Sequence, residues 1–386
     1  MNKMFSKVFE NSILIYCEVK EGNKSMRKLT NTEKKIAQYG FLLFLIGFTF
    51  YIISTTVDYR KIPDVIAFVD KKFLFLGMVL VLVYIIVETI VFQLIINSVE
   101  KDKKKRTIGL QMGTMGLYYN LVTPFASGSQ PMQIYVMNRY GIGLSKAVAI
   151  VTNKTVLFQT VVTIICGVII YLNKGMILSD HRHIIMLLAI GMVMNLVTIL
   201  GGIMIVLSPK FMKKFADIVI NGLGRFRLFK FLRGKNERCY NYIDDFNKSI
   251  LMYITDIKSL IITVILTFIQ LFIYFSIVFC IYKASKLGGA SFYLLFSLQV
   301  LLYMTISPIP TPGNVGANEI TFFGIFRGVF PKQYIGYAVI MYSFLVYYFI
   351  LLVCGICTWI SHYHMNKLES QGKFEKISRE EDTYPR

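Results

Sequence analysis

A chain of 386 residues that is 55% hydrophobic and only 17% charged, with a mean hydropathy of +0.57, is not an ordinary soluble domain. The formal charge of +20 invites nucleic acid, but the basic residues fall between apolar runs, as in cytoplasmic loops facing anionic lipid, so nucleic-acid binding is set aside. The composition predicts an all-α polytopic membrane protein.

Residues 1–37 read as a cytoplasmic N-terminal segment. No signal peptide is expected there, because "SILIY" (12–16) is short and no small-residue cleavage site follows it. A transmembrane domain is predicted over 38–362, with six full spans at about 39–57, 73–98, 145–172, 184–207, 257–284 and 334–361. Each is long enough to cross roughly 30 Å of hydrocarbon at about 1.5 Å per residue. Segments 1–38, 99–108, 208–256 and 362–386 hold 8, 5, 10 and 5 Lys and Arg, while 58–72, 173–183, 285–290 and 331–333 hold 4, 2, 1 and 1. That asymmetry predicts both termini in the cytoplasm of a bacterial plasma membrane.

Two apolar stretches remain, 109–140 and 291–330, and each must enter and leave by the same face. The first rises through "IGLQMGTMGLYYNLV", breaks at Thr123 to Pro131 and returns to Arg139. The second descends through "SFYLLFSLQVLLYMTI", breaks at "SPIPTPGNVGANE" (307–319) and climbs back to Pro331. Irregular backbone at membrane depth is tolerated only inside protein or along a wet cavity. The full reading is therefore six spans plus two oppositely oriented re-entrant hairpins, an inverted repeat with its site at the midplane. The alternative is two ordinary spans kinked at proline.

Between the fourth and fifth spans, 208–256 mixes Phe211, Phe215, Phe226, Phe229 and Phe231 with ten basic residues. This suits amphipathic helices on the inner leaflet, able to meet anionic headgroups, or a solvated connector. Residues 363–386 read as a polar cytoplasmic tail.

The breaks carry the candidate site. Pro131 suits the first position of a returning half-helix, capped by Ser129 or Gln130; Thr123 and Ser127 add hydroxyls. In the second break Pro312, Gly313, Asn314 and Gly316 make the turn, and a half-helix starts near Ala317. Both half-helices would aim free N–H groups and a positive dipole end at the bilayer centre, where a phosphodiester would bind. Charges in the apolar zone are functional by default. They are Lys154, a ligand for a lipid phosphate or a carboxylate; Glu88, a partner for Lys154; Glu319, either a helix cap or a ligand for a cationic headgroup; and, nearer an interface, Arg139 and Arg327. Catalytic motifs are lacking, the histidines (181, 183, 362, 364) read as interfacial, and Cys354 and Cys357 as packing residues. No cofactor and no metal is expected.

The strings "TPFASGSQP" (123–131), "TNK" (152–154) and above all "PTPGNVGANE" (310–319) resemble the transmembrane region of the lysylphosphatidylglycerol synthase/flippase family, whose best-known member is the bacterial multiple peptide resistance factor. The resemblance spans about residues 38–360. The chain departs from the family's pattern near Ser129 and Gln130, where a second glycine and an acidic residue are usual, and at Lys154, where an arginine is usual. The resemblance implies a lipid flippase domain for an aminoacylated or other anionic phospholipid or a lipid-linked substrate. With about 25 residues after the last span, it implies the translocating half without the cytosolic lysyltransferase. Two alternatives stay open: a phosphatidylglycerol lysyltransferase, alone or in a split synthase that would use lysyl-tRNA, and a small-solute secondary transporter. The implied partners are a membrane phospholipid, anionic inner-leaflet lipid and a separate synthase or glycosyltransferase.

Overall fold

The computed structural model describes residues 64, 67–100, 108–123, 127–180, 184–223, 236–309 and 311–370. The predicted span 39–57, the segment before it, and residues 371–386 lie outside the described residues.

In chain order the helices are α1 (Lys71–Val99), α2 (Gly109–Val122), α3 (Ser129–Arg139), α4 (Leu144–Leu172), α5 (Lys174–Asp180), α6 (Ile185–Leu207) and α7 (Pro209–Leu223). They continue as α8 (Asn236–Thr255), α9 (Ile257–Ala284), α10 (Phe292–Ile306), α11 (Ala317–Phe326), α12 (Ile335–Ser343) and α13 (Phe349–Ser370). Among the described residues there is no strand, and five helices are long and apolar enough to cross a membrane: α1, α4, α6, α9 and the run Ile335–Met365. The chain is an all-α multi-pass membrane protein. The last run differs from the uninterrupted span read from sequence, because a π turn (Phe344–Tyr348) separates α12 from α13.

Polar residues at the apolar boundaries start these helices. Asp70 accepts from Lys72 N–H (3.0 Å), Asp256 from Ser259 N–H (3.2 Å) and Ser291 from Leu294 N–H (3.1 Å), each supplying an acceptor to an orphan first-turn donor. Helices α1 and α9 pack antiparallel along their length. Asp70 N–H donates to Ala284 carbonyl at 2.9 Å at one end, and Ser98 hydroxyl to Asp256 at 2.9 Å at the other. These contacts define an Asp70 end and a Ser98 end of the bundle. Lys146, at the start of α4, meets Glu100 at 3.1 Å at the Ser98 end. Asn173, just past the end of α4, donates to Tyr293 hydroxyl at 2.9 Å, beside the start of α10.

The two hairpins dip from opposite ends. Helix α2 follows α1 at the Ser98 end, and α3 folds back along it: Gln133 amide donates to Met112 carbonyl at 2.9 Å, and a Cβ on Gly116 would collide with that amide. The chain is then back at the Ser98 end when α4 begins. Helix α10 begins at the Asp70 end, and α11 returns there. Phe330 meets Tyr282 edge-on at 5.4 Å, Tyr282 hydroxyl donates to Gly288 carbonyl at 2.7 Å, and Tyr334 stacks on Phe68 at 4.7 Å. At about 1.5 Å per residue α2, α3, α10 and α11 are each roughly 15–22 Å long, too short to span hydrocarbon alone.

Apolar burial does not hold helices together in lipid, so close backbone approach carries the packing. Gly109 and Gly113 let α2 lie against Thr89 and Gln93 of α1, and Gly191 lets α6 approach the Met304 carbonyl of α10. Helices α7 and α8 pack on each other and on α6 and α4, with Met212, Phe246 and Ile250 around Ala149. Lys213 pairs with Asp244 at 2.7 Å, and Tyr240 bonds Asp217 at 2.5 Å. Phe211 and Ile218, two turns apart on α7, remain exposed. Phe226, Phe229 and Phe231, and the side chain of Phe215, lie outside the described residues.

Candidate functional site

The tip of the first hairpin is tied by Thr123. Its hydroxyl donates to Tyr119 carbonyl at 2.6 Å and accepts from Gly128 N–H at 2.9 Å, so it joins the end of α2 to the start of α3. Helix α3 begins at Ser129 with Gly128 as its N-cap, not at Pro131 with a Ser129 or Gln130 cap. Proline fits anyway, since a first-turn N–H has no intrahelical acceptor. Gly128 offers no side-chain cap, so the leading N–H groups of α3 lack that partner. Ser127 is exposed on the turn and Ser129 is buried. Gln130 amide donates to Thr155 hydroxyl at 3.3 Å, which brings the N-terminus of α3 against α4 one residue from Lys154. Arg139 does not join them. It closes α3 about 15 Å further along the axis, where it donates to Tyr135 hydroxyl at 3.1 Å.

Lys154 lies ten residues into α4, about 15 Å from its start and about a third of the way along this 29-residue helix. Its ammonium pairs with the Glu88 carboxylate and lies over the rings of Phe92 (5.2 Å) and Phe158 (5.0 Å). The lysine side chain keeps 18% of its surface accessible against 4% for Glu88, so a ligand can approach the cation and not the carboxylate. Glu88 also accepts from Gln270 amide of α9 at 2.8 Å. The sequence offered Glu88 as the partner; Gln270 it did not flag, although a glutamine inside an apolar span was the available signal.

The tip of the second hairpin is held by backbone. Pro312–Asn314 forms a single 3₁₀ turn; Gly313 and Asn314 have φ +57° and Gly316 φ +86°, conformations that favour glycine. Helix α11 starts at Ala317, as expected. Glu319 serves as its cap: one oxygen accepts from Gly316 N–H at 2.6 Å and the other from Ser343 hydroxyl at 2.6 Å. Both carboxylate oxygens are thus used within the protein, and Ser343 directly precedes the π turn. Lys154 and Glu319, candidates for one shared cavity, are instead committed to different partners. The buried Thr311 hydroxyl, Asn318 amide oxygen and Tyr347 hydroxyl have no hydrogen-bond partner among the described residues. Pro310 and residues 124–126 lie outside the described residues.

The two tips meet. A Cβ built on Gly313 would fall on the ring of Tyr347 and 2.9 Å from the Leu121 carbonyl, two residues before Thr123. Between the tips and α1 runs a polar core that the sequence did not reveal. Tyr84 packs on Tyr274 (5.5 Å), Tyr274 and Tyr342 share a hydrogen bond, and Gln299 amide donates to Tyr342 hydroxyl at 2.8 Å. His362 is half-buried and faces Tyr119 at 3.3 Å, turned inward and not toward an interface as its position suggested. Cys354 is buried and free. Among the described residues no three His, Cys, Asp or Glu side chains are grouped to hold a metal ion.

The first tip thus has an uncapped helix start, and the neighbouring α4 carries a partly accessible ammonium at Lys154. Comparison with curated proteins and with solved structures finds no match. The profile described as the lysylphosphatidylglycerol synthase TM region matches residues 36–354, a stretch holding both hairpins, Glu88, Lys154 and Glu319. The chain belongs to the lysylphosphatidylglycerol synthase transmembrane-region family.

Proposed function

We propose that this protein is a lipid translocator of a bacterial plasma membrane that carries an anionic phospholipid, aminoacylated or not, or a lipid-linked substrate, between leaflets. The observation that supports this reading is the meeting of two oppositely entering hairpins, with the partly accessible cation Lys154 on the helix that the first tip touches. Lys154 and the N–H groups at Ser129 and Gln130 bind the phosphate, while the acyl chains stay in surrounding lipid. The second hairpin, already satisfied by Glu319 and Ser343, acts as the rigid wall against which the first closes.

The Ser98 end is cytoplasmic in this reading, since segments 99–108 and 208–256 carry fifteen basic residues there. Helix α7 then lies at the inner leaflet with Phe211 and Ile218 against acyl chains, and Lys214, on the same face at i+3 and i−4 from them, extends its ammonium up to anionic headgroups.

Reconstitution into liposomes with headgroup-labelled phosphatidylglycerol tests the proposal. Inner-to-outer exchange well above that of protein-free liposomes is expected, and soluble glycerol phosphate should not compete. Background exchange, with uptake of a soluble phosphate instead, would replace the lipid reading with small-solute transport.

A further inference from the structure

The Lys154–Glu88 pair does more than hold two helices together if the lipid reading is right, because a phosphate that draws the ammonium toward itself competes with Glu88 for one positive charge. A phosphate that captures Lys154 leaves Glu88 at 3% exposure without its counterion. An unpaired buried carboxylate is far too costly to persist in such a place, and it is neutralised instead.

The surroundings of Glu88 are built for both forms. Gln270, 1% exposed, donates its amide N–H to the carboxylate at 2.8 Å, while its own amide oxygen is buried and has no hydrogen-bond partner among the described residues. A half-turn of that amide exchanges donor for acceptor. The same side chain can then take a hydrogen bond from the protonated acid, and the idle oxygen is used.

Among the described residues Lys154 is the cation paired with Glu88, and the ionisable groups that interact with Glu88 include Lys154 from α4, Tyr84 from its own helix and Cys354 from α13. Helix α9 presents neutral Gln270, with Tyr274 one ring beyond Tyr84. Helix α2 sends Tyr119 to His362 and Tyr118 to Gly355 of α13, the π turn sends Tyr347 to Gly313, and α8 meets α1 near Ser98, where Asp256 lies.

We propose that Glu88 is the proton site of a lipid–proton co-transporter, taking up one proton each time a lipid phosphate draws Lys154 away. The balance is simple. The proton comes from water and forms an O–H bond on the Glu88 carboxylate. It leaves to water when the lipid departs and Lys154 returns. The loaded state carries one phosphodiester anion and one proton, and the empty state carries the internal ion pair. For a lipid of single negative charge the cycle moves no net charge.

This inference rests on the lipid reading, and the experiment separates the two. Liposomes containing the full chain and headgroup-labelled phosphatidylglycerol are given a gradient of one pH unit with the membrane potential clamped at zero. One proton per lipid biases the lipid about tenfold toward the alkaline side at equilibrium. A membrane potential without a pH gradient should leave the distribution even. Glu88→Gln holds the neutral form permanently, and its distribution should ignore the pH gradient. Should that variant fail to fold, the wild-type protein in unbuffered detergent should take up about one proton per chain on adding phosphatidylglycerol, with each unit of binding linked as described by the same relation. Lipid exchange that ignores the gradient, absent proton uptake, or a persisting gradient response in Glu88→Gln would each overturn the proton site and leave lipid translocation standing. No lipid exchange at all in wild type would overturn both.

Discussion

The two hairpins share an outline and differ in how their tips are held. The second is finished within itself: left-handed glycines at 313 and 316 make the turn, Glu319 caps the returning helix, and Ser343 fixes Glu319. The first is closed by Thr123, has a glycine for an N-cap, and touches through Gln130 the helix that carries Lys154. At the second tip the capping contacts are made, while the buried Thr311 and Tyr347 hydroxyls have no hydrogen-bond partner among the described residues. In the proposed function the first tip, with its uncapped helix start, is where the ligand exchanges partners. The contrast separates charge at the first hairpin from backbone shape at the second, and substitutions can test each side.

The largest effect is expected at Lys154. Lys154→Met removes one partner of a buried pair and should destabilise the protein by about 3–5 kcal/mol as well as abolish lipid exchange. Adding Glu88→Gln should recover much of that stability and none of the exchange. Unfolding midpoints in detergent and exchange at equal protein per liposome decide it; wild-type exchange in Lys154→Met would remove the cation from the site.

Backbone comes next. Gly313→Ala puts a side chain at φ +57° and drives it onto the Tyr347 ring and the Leu121 carbonyl, so a loss of about 2–3 kcal/mol is expected. Gly116→Ala in the first hairpin meets the side-chain ends of Gln133 and, at 3.2 Å, Ser129, and the Gln133 amide can swing aside at the loss of one hydrogen bond, about 1 kcal/mol. Equal losses would show that the second tip is no more rigid than the first.

Smaller still is Glu319→Gln. Glutamine keeps one acceptor oxygen for either Gly316 or Ser343, so about 1 kcal/mol should be lost while lipid exchange persists. Abolished exchange at unchanged stability would make Glu319 a headgroup ligand, the other reading its sequence position allowed.

Much of this was legible before any coordinates. Proline, glycine and serine clusters in apolar runs marked both tips, because few other residues break a helix at that depth, and the G-x-x-E spacing at 316–319 suggested a cap. Lys154 and Glu88 stood out because charges are rare in such segments. What could not be read depended on distance in space. Arg139 is near the first break along the chain, but α3 carries it a helix length away. Ser343 lies 24 residues from Glu319 and reaches it only through packing. The π turn at Phe344–Tyr348 has no mark in an unbroken apolar string. Gln270 and the tyrosines beside it look like ordinary span residues until α1, α9, α10 and α12 are brought together.

The smallest effect should come from outside both hairpins, and it serves as their control. Asp256 accepts from the side chain and backbone N–H of Ser259 and from Ser98, and these bonds hold its carboxyl below the ordinary aspartate value of 3.8. A depressed folded-state value means the carboxylate contributes stability that is fully present above the ordinary value and is lost as pH falls through the folded one. Asp256→Asn keeps an acceptor for the helix start and removes the charge. Because the group is solvent-screened, the difference from wild type should be only about 0.5 kcal/mol at neutral pH, unchanged down to about pH 5 and vanishing below the folded value. Lipid exchange at pH 7 should be untouched, since this contact ties α1 to α9 at the Ser98 end and touches neither tip. A fall in exchange at preserved stability would mean that movement of α1 against α9 belongs to the transport cycle, and the frame could no longer be treated as fixed while the first hairpin works.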